Sequence, residues 1–320
     1  GAKPAMLVQS SGIGNMINAL CSLTKTYQLP LLILVSWRGF SKDDIAAQIP
    51  LGKKLPKILS ALNISYSIIK DSEEIPHLRK TAIEAYENNV IHAVLLNPII
   101  WGKEIYIGKN KTEMKERDKS SFSIKPEKIK SRKHVLTRFE ILNVVAPYLE
   151  GKVVVCNLGA PCKELYSIKH QKSNFYMLGS MGLVSSIGLG ISLFTSKDTV
   201  VIDGDGSLLA NLGTLSTIAS KKPKNLTILA IDNGVHGTTG NQPTATSVCV
   251  DLELTAKGLG LKKTYKAASR EEIRSTLQGL DDGPNFVHIL AKPGNANLPE
   301  VPLSPLEIKR NVIEALKNEA

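Results

Sequence analysis

Asp205 and Asn233 are the residues whose types and spacing point most directly to chemistry. Asp205 lies in Gly204-Asp205-Gly206-Ser207 after one apolar run, and Asn233 follows a second apolar run, with 26 residues between Gly206 and Asn233. Both side chains offer oxygen atoms, the ligands that Mg²⁺ prefers. Glycines let a phosphate approach the backbone at the start of a helix. The pair predicts a site for a metal and a diphosphate; the alternative is a turn capped by these side chains.

Alternating strands and helices must position these groups. The pattern predicts an α/β fold of two domains, each with a mostly parallel sheet flanked by helices and with no central third domain. We expect the domains at residues 1–101 and 138–320, joined by a basic linker at 102–137. Ligands bind at the carboxyl ends of parallel strands, where Gly159, Asp205 and Asn233 all fall. Strands are expected near residues 5–8, 31–35, 66–69, 93–96, 153–156, 199–202, 227–231 and 286–290, and helices near residues 14–27, 54–62, 75–88, 139–149, 182–194, 209–220 and 270–278.

The composition limits the possible classes of protein. Residues 102–138 carry a net charge of +7 out of +11 for the 320-residue chain and lack interleaved aromatics, so we expect a solvated linker and no nucleic-acid partner. A contact with a polyanion is the alternative. No apolar run reaches the length of a membrane span. The four cysteines lie at wide, unrelated spacings, which predicts a reducing, cytoplasmic location.

The strings around the site residues carry a family resemblance. Residues 201–207, Val-Ile-Asp-Gly-Asp-Gly-Ser, with residues 232–235, Asp-Asn-Gly-Val, resemble the diphosphate and magnesium motif of thiamine diphosphate-dependent enzymes. Residues 9–15, Gln-Ser-Ser-Gly-Ile-Gly-Asn, look like the loop of the pyrimidine-binding domain of that superfamily. Within it the chain resembles the sulfopyruvate decarboxylase family, whose two short subunits correspond to the two halves here. Phosphonopyruvate decarboxylases are similar too, through Arg-Gly at 38–39 and residues 239–244.

The resemblance assigns cofactor and metal roles to residues of the second half. It implies that Asp205, the Asn233 side-chain oxygen and the Val235 carbonyl bind Mg²⁺, and through it thiamine diphosphate. Met181 stands where the family has a bulky apolar residue between the two cofactor rings; an ordinary core methionine is the alternative. The remaining residues expected to bind the cofactor are Gly159, Gly179, Ser180, Gly204, Gly206 and Ser207.

Substrate recognition is expected to involve both halves. A guanidinium suits a tetrahedral anion, so Arg38 is the first candidate for binding a sulfonate or phosphonate, with a surface ion pair as the alternative. His236 could donate to the substrate or relay a proton, although a structural role is equally open. Further candidates of the same kind are Asn15, Gln48 and Gln242.

The resemblance also implies a reaction and an assembly. The reaction is decarboxylation of a 2-oxo acid with a distal sulfonate, 3-sulfopyruvate, to sulfoacetaldehyde and CO₂, as in coenzyme M biosynthesis, by a homo-oligomer. Alternatives are a phosphonopyruvate decarboxylase, an acetolactate-type carboligase and a non-catalytic cofactor-binding protein. The family's activating glutamate precedes the segment at 9–15, which places its equivalent upstream of Gly1. From a first half that opens directly on a strand, we expect a missing leading segment, and residues 1–320 alone should bind cofactor better than they turn over substrate.

Overall fold

A computed structural model describes residues 3–40, 46–101 and 136–317. The chain divides into two compact units, residues 1–125 and 126–320. Most of the predicted basic linker lies outside the described residues. Its last two residues, Leu136 and Thr137, are part of the second unit, where Leu136 is buried and Thr137 caps a helix. The boundaries at 101 and 138 stay predictions.

The first unit contains a four-stranded parallel sheet. Its strand order is β1-β2-β4-β3, so the first strand and the third strand form the two edges. The six-residue strand β2 pairs with β1 on one side and with β4 on the other. It is almost wholly buried, as expected for a central parallel strand. The elements of this unit are β1 (Ala5–Gln9), α1 (Ser10–Ala19), β2 (Leu31–Ser36), α2 (Ile49–Ala61), β3 (Ser65–Ile69), α3 (His77–Glu87) and β4 (Ile91–Leu96).

Helices cover both faces of this sheet. Ile13 of α1 and Leu55 of α2 pack in one apolar cluster against Ile33 of β2, while Leu78 of α3 packs in a separate cluster against Val94 of β4. The prediction of a loop at residues 9–15 is wrong for most of that segment, because α1 begins directly at Ser10. The polar and glycine residues there are accommodated in the first turns of a helix that follows a strand without a connecting loop.

The second unit is built on a six-stranded parallel sheet with strand order β11-β12-β8-β7-β5-β6. A two-stranded antiparallel ribbon, β9 with β10, follows β8. The elements of this unit are α4 (Arg138–Val145), β5 (Val153–Cys156), α5 (Ala160–Ile168), β6 (Asn174–Tyr176), α6 (Val184–Phe194), β7 (Thr199–Gly204), α7 (Asp205–Ala210), α8 (Gly213–Lys221), β8 (Leu226–Asp232), β9 (Val235–His236), β10 (Gln242–Pro243), α9 (Leu252–Gly258), β11 (Lys263–Ala267), α10 (Arg270–Gln278), β12 (Asn285–Leu290) and α11 (Pro305–Lys317).

The central strands of this sheet end together at one edge. All seven residues of β8 are buried, which is typical of a strand covered on both faces. Gly204, the last residue of β7, pairs with Ile231, and Cys156, the last residue of β5, pairs with Ile202. Charged residues in such strands need partners, and the aspartates of β7 and β8, Asp203 and Asp232, lie at the carboxyl ends and are both buried.

Several elements of the second unit differ from the sequence prediction. The helix expected at 209–220 is two helices, α7 and α8, separated at Asn211 and Leu212. Strand β11 was not predicted because its sequence, Lys-Thr-Tyr-Lys-Ala, is polar, which an edge strand tolerates. Among the described residues, no helix is long and apolar enough to span a membrane.

Candidate active site

The carboxyl ends of β7 and β8 bring the two proposed metal ligands to the same edge of the sheet. Asp205 begins α7 immediately after β7, and Asn233 follows the last residue of β8. Both side chains are buried, with Asp205 only 3% exposed. The backbone N–H of Val235 donates to Asn233 Oδ1 over 3.3 Å, so the turn after β8 fixes this side-chain oxygen. Asp205, Asn233 and Val235 therefore all follow the carboxyl ends of two neighbouring strands, and their oxygens stay the predicted metal ligands.

Two threonine hydroxyls surround the Asp205 carboxylate. Thr244 donates a hydrogen bond to Asp205 Oδ2. The Thr246 oxygen lies 3.2 Å from that same Oδ2, 2.9 Å from the Thr244 oxygen and 2.7 Å from Asp232 Oδ1. Burial raises the pKa of Asp205 above its ordinary value, and the Asp232 charge adds to this effect, although the threonine hydrogen bonds oppose it.

This oxygen cluster is short of protons. Each hydroxyl has one hydrogen, whereas the four oxygen–oxygen contacts among Thr244, Thr246, Asp205 and Asp232 would need four. Oxygens in close contact without a proton between them repel, and a cation removes that repulsion. The donor set therefore fits Mg²⁺, which prefers carboxylate, carbonyl and water oxygens. No cluster of three or more His, Cys, Asp or Glu side chains suited to a metal occurs within residues 3–40, 46–101 and 136–317.

A buried histidine contacts the Asp232 end of the cluster, and no spacing of residues in the sequence indicates it. His288 on β12 is 2% exposed, and its Nε2 contacts Asp232 Oδ2 at 2.8 Å. Its Nδ1 lies 3.7 Å from Asp251 Oδ1, too far for a hydrogen bond, so that attraction is electrostatic. Burial lowers the pKa of His288, but the Asp232 and Asp251 carboxylates outweigh it and raise the pKa above the ordinary value. Parallel pairing of β12 with β8 brings these residues together from 56 positions apart.

Asp203, near the end of β7, accepts hydrogen bonds that hold the turn from β7 into α7. Its Oδ2 accepts a 2.8 Å hydrogen bond from Ser185, and its Oδ1 accepts one from the Gly204 N–H. Burial raises the pKa of Asp203 to about 6, despite these hydrogen bonds. Ser207 accepts a 3.1 Å hydrogen bond from the Gly182 N–H, so the start of α7 is tied to the segment that carries Met181.

The segment 179–182 has the backbone of a tight turn, in which Ser180 is buried and Met181 is exposed. Ser180 has a φ of +59° and Gly182 a φ of +91°, both in the left-handed region. Met181 between them is 50% exposed, whereas Met177 at the start of the turn is buried. A methionine so exposed does not fill the core of this unit, which favours the predicted wedge over the alternative. Gly179 and Ser180 remain predicted cofactor residues in the same turn.

Three loops meet close to Gly159 and Gly206, two glycines predicted to bind the cofactor. A Cβ on Gly206 would lie 2.7 Å from His236 Nδ1, so the imidazole packs directly over this backbone. A Cβ on Gly159, at the start of α5, would lie 3.0 Å from Thr238 Oγ1. The structure thus brings together Gly159, Gly206 and the segment after β8. Gln242 is exposed and pairs with His236 in the β9–β10 ribbon, so both candidate polar groups lie on this ribbon.

A buried ion pair anchors the loop after His236. Arg138 donates to Glu164 through Nε at 2.7 Å and Nη2 at 3.0 Å, and Glu164 is fully buried. The same Nη2 donates to Asn295 Oδ1 at 2.8 Å, and the Asn295 amide donates to the Gly237 carbonyl at 2.7 Å. This chain of contacts fixes the backbone one residue beyond His236. The sequence offered no signal for it, because the partners lie far apart along the chain.

The first unit places its candidate substrate residues near one end of its own sheet. Arg38 follows β2, and its carbonyl accepts a 3.1 Å hydrogen bond from Ser10 at the start of α1. Gln48 immediately precedes α2, and Gly39 packs against the Gln48 backbone. Asn15 is exposed on α1, one residue after Gly14, which packs against Leu51 of α2. These three candidates are therefore grouped within the first unit, as ligands of a parallel sheet would require.

The close packing of Gly206 and His236 leads to a testable expectation. Gly206→Ala should lower the free energy of unfolding by about 1–3 kcal/mol, because the new methyl group overlaps the imidazole. Urea unfolding measures this. His236→Ala in the same chain should remove most of that loss, since the overlap is then gone.

Gly213→Ala is the matched control, because nothing lies within 4 Å of a Cβ there. It should leave stability unchanged or raise it slightly. A loss from Gly206→Ala that persists in full beside His236→Ala would contradict the packing described for this ring.

Comparison with known proteins identifies the class of the second unit. Residues 159–289 match the family model described as thiamine pyrophosphate enzyme, C-terminal TPP binding domain. The matched stretch begins at Gly159 and includes the whole cluster around Asp205, together with His288. The site and the match together define a thiamine pyrophosphate enzyme domain.

Relatives of known name match nearly the whole chain. Sulfopyruvate decarboxylase of Methanosarcina acetivorans is 41% identical over 99% of this chain and 83% of that protein. Phosphonopyruvate decarboxylase of Streptomyces viridochromogenes is 30% identical over 97% of this chain and 78% of that protein. The beta and alpha subunits of sulfopyruvate decarboxylase of Methanococcus maripaludis are 41% and 43% identical, covering 57% and 32% of this chain and 98% and 61% of the subunits. The chain belongs to the sulfopyruvate decarboxylase family, and the predicted fold class, resemblance and decarboxylase class are confirmed.

Proposed function

We propose that this chain is a Mg²⁺- and thiamine diphosphate-dependent decarboxylase that converts 3-sulfopyruvate to sulfoacetaldehyde and CO₂. The observation that carries the proposal is the buried, proton-deficient oxygen cluster around Asp205, in a domain of the thiamine pyrophosphate enzyme family. The 41% identity to a named sulfopyruvate decarboxylase supports the substrate. When bound, thiamine diphosphate would supply a nucleophilic carbon that adds to a ketone and accepts the electrons of the broken carbon–carbon bond.

The residues of the second unit would hold the cofactor by its charged end. Asp205, Asn233 Oδ1 and the Val235 carbonyl would bind Mg²⁺. The N–H groups at the start of α7, with Gly204, Gly206 and Ser207, would face the diphosphate. Gly206 carries no side chain, and the His236 imidazole takes the space that a Cβ would fill. Gly159, Gly179 and Ser180 would contact the cofactor from the neighbouring strand ends.

Met181 and His236 would act near the reacting atoms. Met181 would pack against the cofactor rings with a flexible, apolar side chain. The His236 ring, placed over Gly206, would donate a hydrogen bond to the substrate or hold the proton that the product receives. An apolar Met181 side chain beside the substrate carboxylate would favour its loss as neutral CO₂, since charge is removed in that step.

Arg38 would bind the distal sulfonate, with Gln48, Asn15 and Gln242 contributing hydrogen bonds. A planar guanidinium can donate two parallel hydrogen bonds to a tetrahedral anion, which an ammonium cannot. Because Arg38 would bind the sulfonate, the charge of the carboxylate that leaves as CO₂ would not be neutralised.

The Arg38 proposal predicts a selective kinetic effect. Arg38→Lys should raise KM for 3-sulfopyruvate by about tenfold with a smaller change in kcat, because the charge is kept and the paired hydrogen bonds are lost. Steady-state kinetics of the full-length protein, saturated with thiamine diphosphate and Mg²⁺, measures both constants. Arg79→Lys, an exposed position on α3, is the control and should change neither constant. An equal KM in Arg38→Lys and the parent protein would contradict this role.

Phosphonopyruvate is the second candidate substrate. The relative from Streptomyces viridochromogenes and the shared stretch 239–244 favour it. CO₂ release from 3-sulfopyruvate, phosphonopyruvate and pyruvate, compared at equal concentrations, decides between them. We expect the highest kcat/KM with 3-sulfopyruvate; a higher value with phosphonopyruvate would reverse the assignment. A condensed hydroxyketone in place of the aldehyde would identify a carboligase instead.

We propose a homo-oligomeric assembly and a cytoplasmic location for this enzyme. Separate alpha and beta subunits among the relatives support assembly of these two kinds of unit into one enzyme. The described cysteines, Cys21, Cys156, Cys162 and Cys249, are all free thiols, as expected in a reducing compartment. Light scattering of the purified protein tests the assembly: an active monomer would contradict it.

A further inference from the structure

A chain of polar side chains, in which Asp205, Asp232 and His288 are buried and Thr246 is half-buried, runs from the proposed metal ligand into the core of the second unit. It passes from Asp205 to Thr246 at 3.2 Å, from Thr246 to Asp232 at 2.7 Å, and from Asp232 to His288 at 2.8 Å. Asp251 lies on the far side of the imidazole. None of the predicted site residues except Asp205 belongs to this chain.

The Asp232 carboxylate is held by three donors on separate segments. His288 Nε2 contacts its Oδ2, while the Gly234 N–H at 3.0 Å and the Thr246 hydroxyl at 2.7 Å contact its Oδ1. The Asp251 carboxylate is held in turn by Lys266 and by the backbone N–H groups at the start of α9. Asp232 Oδ1, the acceptor for the Thr246 proton, is therefore held in position by contacts from residues of β12, β11 and the start of α9.

The geometry decides where the single Thr246 proton points. The Asp232 oxygen is 0.5 Å closer to the Thr246 oxygen than the Asp205 oxygen is, at 2.7 Å against 3.2 Å. A hydroxyl that donates to Asp232 turns its lone pairs toward Asp205. The Thr246 oxygen then faces Asp205 as a hydrogen-bond acceptor. The Thr244 hydroxyl is the group that donates a hydrogen bond to Asp205 Oδ2.

We propose that Thr246 is a positioning residue for the metal site, whose hydroxyl proton is held by the Asp232–His288 pair so that its lone pairs face Asp205 and a bound divalent cation. The inference rests on the proposed function, because it assumes that Asp205 binds the cation. In this arrangement the cation relieves the repulsion between the Thr246 oxygen and the carboxylate. Asp205 Oδ2 already accepts the Thr244 proton, and a second proton from Thr246 would compete with the cation for the remaining lone pair of this oxygen.

The test measures cation binding directly, without turnover. Mn²⁺ is used as the probe, since it takes the same oxygen ligands as Mg²⁺, and the electron paramagnetic resonance signal of free Mn²⁺ reports binding to protein saturated with thiamine diphosphate. Thr246→Val should raise the dissociation constant for Mn²⁺ by about tenfold, the size typical of residues that support a metal ligand. Thr246→Ser, which keeps the hydroxyl, should stay within about twofold of the parent protein.

A double substitution tests the direction of the proton. In Asp232→Asn the amide can donate to the Thr246 oxygen and turn its proton toward Asp205, so Mn²⁺ binding should weaken by about tenfold or more. Asp232→Asn added to Thr246→Val should cost little further, because the hydroxyl through which it acts is gone. Thr217→Val, on an exposed face of α8, is the matched control and should bind Mn²⁺ like the parent protein.

The outcomes separate this inference from the proposed function. A parent protein that binds neither Mn²⁺ nor thiamine diphosphate contradicts the proposed function and this inference with it. A parent protein that binds both, with Thr246→Val equally tight, contradicts this inference alone. Equal weakening in Thr246→Val and Thr246→Ser, or fully multiplicative losses in the double variant, would also overturn it. Circular dichroism confirms folding, and Thr246→Ser gives a folded comparison whatever the fate of Thr246→Val.

Discussion

Asp205→Asn is expected to weaken Mg²⁺-dependent binding of thiamine diphosphate by at least about 100-fold, the upper end of what loss of a group supporting a metal ligand costs. The substitution keeps the shape of the side chain but removes the charge that the cation requires. Loss of that charge also ends the proton deficiency of the cluster, since the amide can donate to the threonine oxygens. Isothermal titration calorimetry with thiamine diphosphate at fixed Mg²⁺ measures the change.

The same substitution should have the opposite effect on the stability of the cofactor-free protein. The folded-state pKa of Asp205 is raised by burial, so its ionised form costs stability at pH values above that pKa. A neutral asparagine removes this cost, and the free energy of unfolding at pH 7 should stay equal or rise. This combination distinguishes a functional carboxylate from a structural one.

Asp198→Asn is the matched control for Asp205→Asn. Asp198 directly precedes β7 at the other end of the same strand, is exposed and pairs with Lys152 at 2.6 Å. Its loss should change cofactor binding by less than about twofold, since exposed ion pairs contribute little. Undiminished cofactor binding by Asp205→Asn would contradict the proposed ligand set.

Glu164→Gln is expected to lower the free energy of unfolding of the second unit by about 3–5 kcal/mol, the loss typical when one partner of a buried ion pair is removed. Glu164 is fully buried and accepts both Arg138 hydrogen bonds and the Ala296 N–H. The neutral amide leaves the buried guanidinium without a compensating charge. Urea unfolding followed by circular dichroism measures the loss.

Two controls show whether the isolated charge is the cause. Glu84→Gln, which removes one partner of the exposed Lys80–Glu84 pair, should cost less than about 0.5 kcal/mol. The double variant Arg138→Met with Glu164→Leu should recover most of the stability lost in Glu164→Gln, because no charge is then buried alone. It should still bind cofactor more weakly, since Asn295 loses the Arg138 contact that holds it near Gly237. A Glu164→Gln variant as stable as the parent protein would contradict this account.

The sequence predicted the fold class because hydrophobic periodicity reports local burial. The continuous apolar runs before Asp205 and Asn233 are central strands β7 and β8, and the rule that ligands bind at carboxyl strand ends located the candidate site. Two of the differences lie where that signal is weak. Polar β11 is an edge strand, and α1 begins at Ser10, where serines and glycines indicated a loop.

The rest of the candidate site could not be predicted because it depends on long-range pairing. Gly204, Asp205, Gly206 and Asn233 form a local motif with a recognisable spacing. Thr246, Asp232 and His288 become neighbours only through the register of β8 and β12 and the fold of the segment after β10. Similarly, the Arg138–Glu164 pair joins α4 to α5 across 26 residues. Single residues of ordinary type at irregular spacing carry no periodic signal, so only the folded chain brings out their role.

The proposed activity is tested most directly by product analysis with each component removed in turn. The full-length protein is incubated with 3-sulfopyruvate, thiamine diphosphate and Mg²⁺, and CO₂ and sulfoacetaldehyde are quantified together. We predict equal amounts of the two products, with both falling to background when thiamine diphosphate is omitted or Mg²⁺ is chelated. Product formation that persists without cofactor and metal, or cofactor-loaded protein that releases no CO₂, would contradict the account.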